Sequence, residues 1–246
     1  VGLSVETSYL RGYAAQLDGN RTGVLAELRA YCAAYCGDTA GLDGTLTPAR
    51  CAVDSMSDGF LRAMDGAERG LRNTADALRL TADRYDSSDA AAAGRLWTTG
   101  RTGELPRGYA ERDVVVMTRG FSAGATVNLA VPPERHDAKR AKESLASLLG
   151  DINSIVQWIT GKDVLGAAMP IVFGEWGVLR RIAQACDELE RGYDRVAQDL
   201  ADGVDLVSAH WTGDGPGAST VFDYHMREQW IRGFKALANV ANGAQQ

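Results

Sequence analysis

Apolar positions recur at helical spacing over most of the chain. From residue 3 to 36, Val5, Tyr9, Tyr13, Leu17, Val24, Leu28 and Tyr31 fall mostly three, four or seven apart. That spacing puts side chains on one face of a helix and predicts one long amphipathic helix. Gly37-Asp38 and a glycine-rich stretch to Gly44 end it. Thr47-Pro48 then reads as an N-cap followed by proline at the first helical position, where a missing N–H costs nothing. A second long helix is predicted from there to about Arg95. Its stripe of Met56, Phe60, Met64, Ala67, Leu71, Ala75, Leu78, Ala82 and Tyr85 is a heptad-like seam suited to pairing with another long helix. Residues 1–95 are therefore expected to form a helix–turn–helix hairpin.

The helical period disappears over residues 96–135, where glycine, arginine and proline become frequent. This stretch is predicted to be a long linker. Val114–Met117 and Val127–Val131 are its candidates for short strands of a β-hairpin, and Pro132-Pro133 closes it. From His136 the pattern returns: Ala141, Leu145, Leu148, Ile152, Val156 and Ile159 mark one face, and Gly161 ends that helix. After Pro170, a long seam runs through Leu179, Ile182, Cys186, Leu189, Tyr193, Val196, Leu200, Val204 and Val207 to Trp211-Thr212-Gly213. Asp214-Gly215-Pro216 restarts a helix carrying Phe222, Met226, Trp230, Phe234 and Leu237. Residues 136–246 are thus expected to be a second hairpin with an extra leading helix. The fold class predicted is all-α: two long antiparallel hairpins, like an elongated four-helix bundle, joined by the linker.

Composition supports a packed protein. Of 246 residues, 45% are hydrophobic and 24% charged, as in ordinary globular chains rather than disordered ones. The formal net charge is −6 and no basic patch is visible, so nucleic acid is not expected as a partner. Val1-Gly2-Leu3-Ser4-Val5-Glu6 lacks a basic start followed by an apolar core, so no classical signal peptide is expected. The most apolar stretch, Val164 to Leu179, is interrupted by Pro170 and Glu175 and is shorter than the roughly 20 residues a bilayer span needs. It reads as buried core or groove lining, with conditional membrane insertion as the lesser alternative. Four cysteines occur, Cys32, Cys36, Cys51 and Cys186. The spacing allows a Cys36–Cys51 or Cys32–Cys51 disulfide across the loop in an oxidising compartment, and equally allows buried thiols.

The chain lacks the patterns of an enzyme. His136, His210 and His225 form no metal-spaced cluster and read as surface or packing residues. No G-x-S-x-G occurs, and Gly161-Lys162 lacks the upstream glycine of a phosphate loop. Neither a cofactor, a metal nor a catalytic constellation is predicted.

Two short patterns remain. Trp211-x-Gly213 stands between two long amphipathic helices, where glycine tolerates the positive φ of a reversal and the indole can lie between the arms. The bland reading is a helix cap with an incidental aromatic. Tyr85-x-x-x-Asp89 lies at the end of the second helix, and a four-residue spacing puts both side chains on one face, one turn apart. The bland reading is a core tyrosine and a solvated aspartate.

In combination the two patterns resemble a known family. The helix–Trp-x-Gly–helix arrangement is similar to the WXG-type proteins of type VII (ESX) secretion, and Tyr85-x-x-x-Asp89 after a hairpin is similar to that system's export signal. The run Thr74–Ala93 resembles the C-terminal helix of EspC-like ESX-associated proteins. Phe173-Gly174-Glu175-Trp176 leading into the long helix and Trp211-Thr212-Gly213-Asp214-Gly215 resemble the WXG-like N-terminal domains of secreted toxins and channel-forming proteins of actinobacteria. The resemblance implies that Tyr85 and Asp89 are read by the export machinery and its ATPase, and that Trp211 and Gly213 form the other half of a composite signal. It implies a secreted interaction protein, cytoplasmic before export. Its partner would be a second helical hairpin, another copy, or the other half of its own chain. The alternatives are the targeting module of a larger toxin and a cytosolic helical adaptor. The chain departs from the family pattern: the first hairpin has no Trp-x-Gly, the second has no Tyr-x-x-x-Asp, and the long linker and extra helix are not features of the smallest members.

Overall fold

A computed structural model describes residues 4–40, 42, 47–100, 120–132, 176–212 and 217–245. These residues are mostly helical. In chain order the elements are β1 (Ser4–Val5), α1 (Thr7–Thr22), α2 (Val24–Tyr31), a π-helical turn (Cys32–Cys36), α3 (Thr47–Gly100), α4 (Trp176–His210), β2 (Trp211–Thr212), α5 (Ala218–His225), a second π-helical stretch (Met226–Ile231) and α6 (Arg232–Gly243).

Several expectations fall outside the described residues: the strand at Val114–Met117, the leading helix from His136 to Ile159, most of the apolar stretch from Val164, and Gly213. Among the described residues, no helix is long and apolar enough to cross a membrane.

The buried stripes follow the sequence pattern. On α3 they are Phe60, Met64, Ala67, Leu71, Ala75, Leu78 and Ala82; on α4 they are Val178, Ile182, Ala185, Cys186, Leu189, Tyr193, Val196, Leu200, Val204 and Val207. Steps of three and four keep such a stripe under one neighbouring helix. One apolar cluster takes residues from all the long helices. Burying one Leu or Phe side chain contributes about 1.5–3 kcal/mol, against about 0–1 for an exposed ion pair. The stripes therefore drive association, and the polar pairs report its register.

Those pairs give the directions. Between α1–α2 and α3, Thr7 meets Asp86, Arg11 meets Asp83, Arg29 meets Asp65 and Cys32 meets Ser57. One number rises as the other falls, so the helices are antiparallel. The first segment is also antiparallel to α4: Glu6 meets His210, Tyr13 meets Leu200 and Asp38 meets Arg181. Between α4 and the last helical stretch, Ser208 meets Asp223, Tyr193 meets Phe234 and Glu190 meets Asn242. The fourth contact, α3 on the last stretch, depends on a small residue. Trp230 lies over Gly70, and a Cβ there would overlap the indole ring.

The structure corrects three expectations. The first helix starts at Thr7 rather than residue 3, because Val5 lies in a strand opposite Trp211. It is interrupted at Gly23 (φ −94°, ψ −97°), a residue with little helix preference, and closes in a π-helical turn. The second helix runs past Arg95 to Gly100. Residues 127–131 are extended but form no strand. Among the described residues they lie along the helices, and Tyr31 Oη donates to the Ala130 carbonyl at 2.7 Å.

This strap, residues 120–132, is latched by polar groups. Asp199 accepts hydrogen bonds from Gln16 Nε2 (2.8 Å), Asn20 Nδ2 (2.5 Å) and Ser122 Oγ (2.5 Å), while Asn20 Oδ1 accepts from the Ala125 N–H (3.0 Å). Gln16 and Asn20 are buried on α1; Asp199 of α4 serves both, and the strap adds the Ala125 N–H as a partner for Asn20. Gly19 lets the strap backbone approach, since a Cβ there would overlap the Ala123 carbonyl, and Gly124 crosses it at φ +112°.

Candidate functional site

The antiparallel packing gathers the N-terminus of α1, the latter part of α3, the C-terminus of α4 and the start of α5 at one end. Here β1 and β2 pair antiparallel, with Ser4 opposite Thr212 and Val5 opposite Trp211. The Glu6 N–H extends the ladder to the His210 carbonyl at 3.1 Å. Trp211 is only 5% exposed. Its ring tilts against Phe222 at 5.7 Å between centroids and takes the edge of Tyr85 at 6.3 Å and 81°. Edge-to-face packing sets the electropositive rim of one ring against the electronegative face of the other. Phe222 in turn meets Tyr13 edge-on at 6.0 Å, and Tyr13 Oη donates to the Leu200 carbonyl at 3.0 Å. Burial pushes the Tyr13 hydroxyl well above the ordinary tyrosine range, and the nearby Asp199 charge adds to the effect.

Tyr85 and Asp89 lie within α3. Tyr85 is half-buried against Trp211, while Asp89 is exposed one turn further on and takes no ion pair among the described residues. The face beside them is pinned by Arg11, whose Nη2 reaches Asp83 (2.6 Å) and Asp86 (2.8 Å). Thr7 Oγ1 donates to Asp86 at 2.8 Å. His210 stacks on Tyr9 at 3.6 Å, with Nδ1 3.0 Å from Glu6 Oε1. The structure thus brings Tyr85 and Trp211 together, and holds the helix that displays Asp89. Gly213 lies outside the described residues.

Trp211 supports this end from inside. It pairs as a strand residue, and its Nε1 is buried without an acceptor among the described residues. Sequence reading missed Ser4–Val5 as the strand opposite it. The helical spacing puts Val5 in a stripe with Tyr9 and Tyr13, and a two-residue strand leaves no periodic signal.

Of the two readings the spacing allows, a Cys36–Cys51 or Cys32–Cys51 disulfide and buried thiols, neither disulfide is present in this structure. All four cysteines are free, and Cys51 is exposed on α3 whereas Cys36 is fully buried. Cys36 instead sits fully buried on the π-helical turn, which packs against α4. Its thiol pKa is raised by the influence of the Cys186 and Cys32 thiols, Cys186 first, and by burial. Cys32 Sγ lies 3.9 Å from Ser57 Oγ. The packing of the π-helical turn on α4, which buries all three thiols, is a tertiary contact that spacing along the chain does not reveal. Among the described residues, no group of three or more His, Cys, Asp or Glu side chains is placed to hold a metal ion.

No protein-family model, no curated protein and no solved structure matches this chain.

Proposed function

We propose that this protein is a non-enzymatic helical substrate or interaction protein of a type VII (ESX) secretion pathway, cytoplasmic before export and secreted after it. The observation that carries the reading is the edge-on packing of Tyr85 against Trp211 at one end of the helices. Two sequence elements singled out separately, and remote along the chain, meet at one end of the helices, Tyr85 half-buried and Trp211 beneath it. Asp89 offers a carboxylate one helical turn from the Tyr85 ring, accessible to a cationic partner. With this goes a finer architecture: two helical hairpins, residues 1–95 and 136–246, packed on each other as a fused pair in an elongated four-helix bundle. In this reading Tyr85 and Asp89 meet the export ATPase and its machinery. Trp211 is a positioning residue that fixes the Tyr85 ring and, through it, the display of Asp89. An external helical hairpin or a second copy is a further partner only if the fused pair opens.

The test is release into the medium. Asp89→Ala touches an exposed residue, so it should abolish release while leaving the melting temperature unchanged. Tyr85→Ala should also abolish release, at some cost in stability because its ring packs on Trp211. A strain lacking the pathway's ATPase should retain the wild-type protein in the cells. Normal release of Asp89→Ala, or release without the ATPase, would overturn the proposal.

A further inference from the structure

The strap, residues 120–132, lies in a groove that the helices build without it. Beneath it α1 and α2 pack directly on α4: Tyr13 Oη donates to the Leu200 carbonyl, and Gly192 and Gly203 let Leu28 and Tyr13 lie close. In the groove wall, Asp199 Oδ2 accepts from both Gln16 Nε2 and Asn20 Nδ2, side chains that are 2% and 0% exposed. Those bonds hold Asp199 Oδ1 and Asn20 Oδ1 as acceptors whether or not a strap is present. Ser122 Oγ donates to the first at 2.5 Å, and the Ala125 N–H donates to the second at 3.0 Å. Further along, Tyr31 Oη donates to the Ala130 carbonyl at 2.7 Å. Acceptors and a donor fixed in advance and aimed at a main chain are the parts of a peptide-binding site.

The strap in turn lies there as a ligand would. Of residues 120–132 only Pro132 is fully buried. From 125 to 130 the side chains alternate, with Ala125, Val127 and Leu129 half-buried and Thr126, Asn128 and Ala130 exposed, as in an extended chain laid on a surface. The Phe121 ring packs on Tyr9 at 5.9 Å and Tyr13 at 6.1 Å between centroids. Gly124 passes at φ +112°, and a Cβ there would come within 2.6 Å of the Gly19 carbonyl carbon. The groove therefore reads an aromatic ring, a hydroxyl beside it and a glycine two residues on, and then main-chain groups.

We propose that this groove is a recognition site for an extended peptide of the pattern aromatic-Ser-x-Gly, filled within one molecule by its own strap and open to the strap of a second copy. Exchange gives a swapped dimer in which each groove holds the segment it holds in the monomer, so no new contact is needed. The connections reach far enough. α3 runs past Asp89 to Gly100, roughly 16 Å of helix, and its residues 86–91 are exposed at the end where the strap begins. Residues 101–119 join α3 to the strap, and a segment of that length spans up to about 60 Å, several times the roughly 10 Å between packed helices. Within one molecule the strap is present at an effective concentration on the order of millimolar. The closed monomer therefore dominates in dilute solution, and exchange grows with protein concentration during refolding.

Two measurements test this, and neither depends on the export reading. The first uses the full chain carrying Phe121→Ala and Ser122→Ala, which loosens its own strap, and a fluorescent synthetic peptide of residues 120–132. This variant should bind the peptide at least about 10-fold more tightly than wild type, whose groove is filled, and a peptide carrying Gly124→Val should bind it about 10-fold more weakly. The second unfolds two differently tagged wild-type chains together and refolds them at rising concentration. A dimer carrying both tags should appear and grow with concentration, and should be lost when both chains carry Phe121→Ala and Ser122→Ala. If the double variant fails to fold, the wild-type refolding still decides. No peptide binding up to about 1 mM, equal binding of the Gly124→Val peptide, a wild-type chain that stays monomeric at every concentration, or a dimer indifferent to the strap substitutions would overturn the proposal.

Discussion

At one end of the packed helices, Tyr85, Trp211, Phe222 and Tyr13 form a chain of aromatic contacts. At the other, Cys32, Cys36 and Cys186 fill the space between the π-helical turn and α4 with small thiols, beside the Tyr193 ring. Both ends join the first segment to α4, but by different physics. The aromatic end is held by large apolar surfaces, a two-residue strand pair and the charges of Arg11, Asp83 and Asp86. The thiol end has less bulk per side chain at the turn itself and leans on the Tyr193 ring, which packs on Phe60 and Phe234. Asp89 is on the aromatic end.

The sharpest way to break the contrast is Trp211→Ala. Losing a nearly buried indole that contacts Tyr85 and Phe222 should cost about 3–5 kcal/mol in chemical denaturation. Trp211→Phe should recover most of this, because the Nε1 it removes has no partner among the described residues. An equal loss in both variants would show that the indole N–H, rather than the ring, matters.

A smaller, pH-dependent effect belongs to the stretch between the two ends, where Asp18 pairs with Arg79 and Arg21. Burial alone would raise the Asp18 pKa, but hydrogen bonds from the two arginines outweigh it and hold the carboxyl below the usual range. A group whose pKa falls on folding binds protons more readily in the unfolded chain. Its contribution is therefore complete above about pH 4 and is lost as pH falls through the folded value. Asp18→Asn should cost about 1 kcal/mol at pH 7 and the difference from wild type should vanish in acid. A difference that stays constant from neutral to acid pH would remove the ion pair from the account.

Tyr193→Phe tests the thiol end with the opposite sign. Its hydroxyl is buried without a partner among the described residues, so removing it should be neutral or stabilise the protein by up to about 1 kcal/mol. A clear loss in urea unfolding would mean that the hydroxyl is bound after all. The smallest effect is Asp89→Ala. The residue is exposed and takes no ion pair among the described residues, so stability should change by less than about 0.5 kcal/mol. A larger drop would make Asp89 structural and spoil its use in the release assay.

The sequence alone determined which residues point inward. Steps of three and four from Phe60 to Ala82 and from Ile182 to Val207 hold because a side chain's direction on a helix follows from its position, whatever packs on it. The same rule put Tyr85 and Asp89 on one face of α3. Only the tertiary structure decided which stripes meet. Several helices would accept a seam like that of α3, since apolar contact carries no address, so the meeting of Tyr85 with Trp211 and of the π-helical turn with α4 could not be read along the chain. It also decided the short features. Ser4–Val5 became a strand because Trp211 was opposite it, and residues 127–131 did not because helices were. Two or five extended residues gain their hydrogen bonds from whatever lies beside them, and that neighbour is set by the fold.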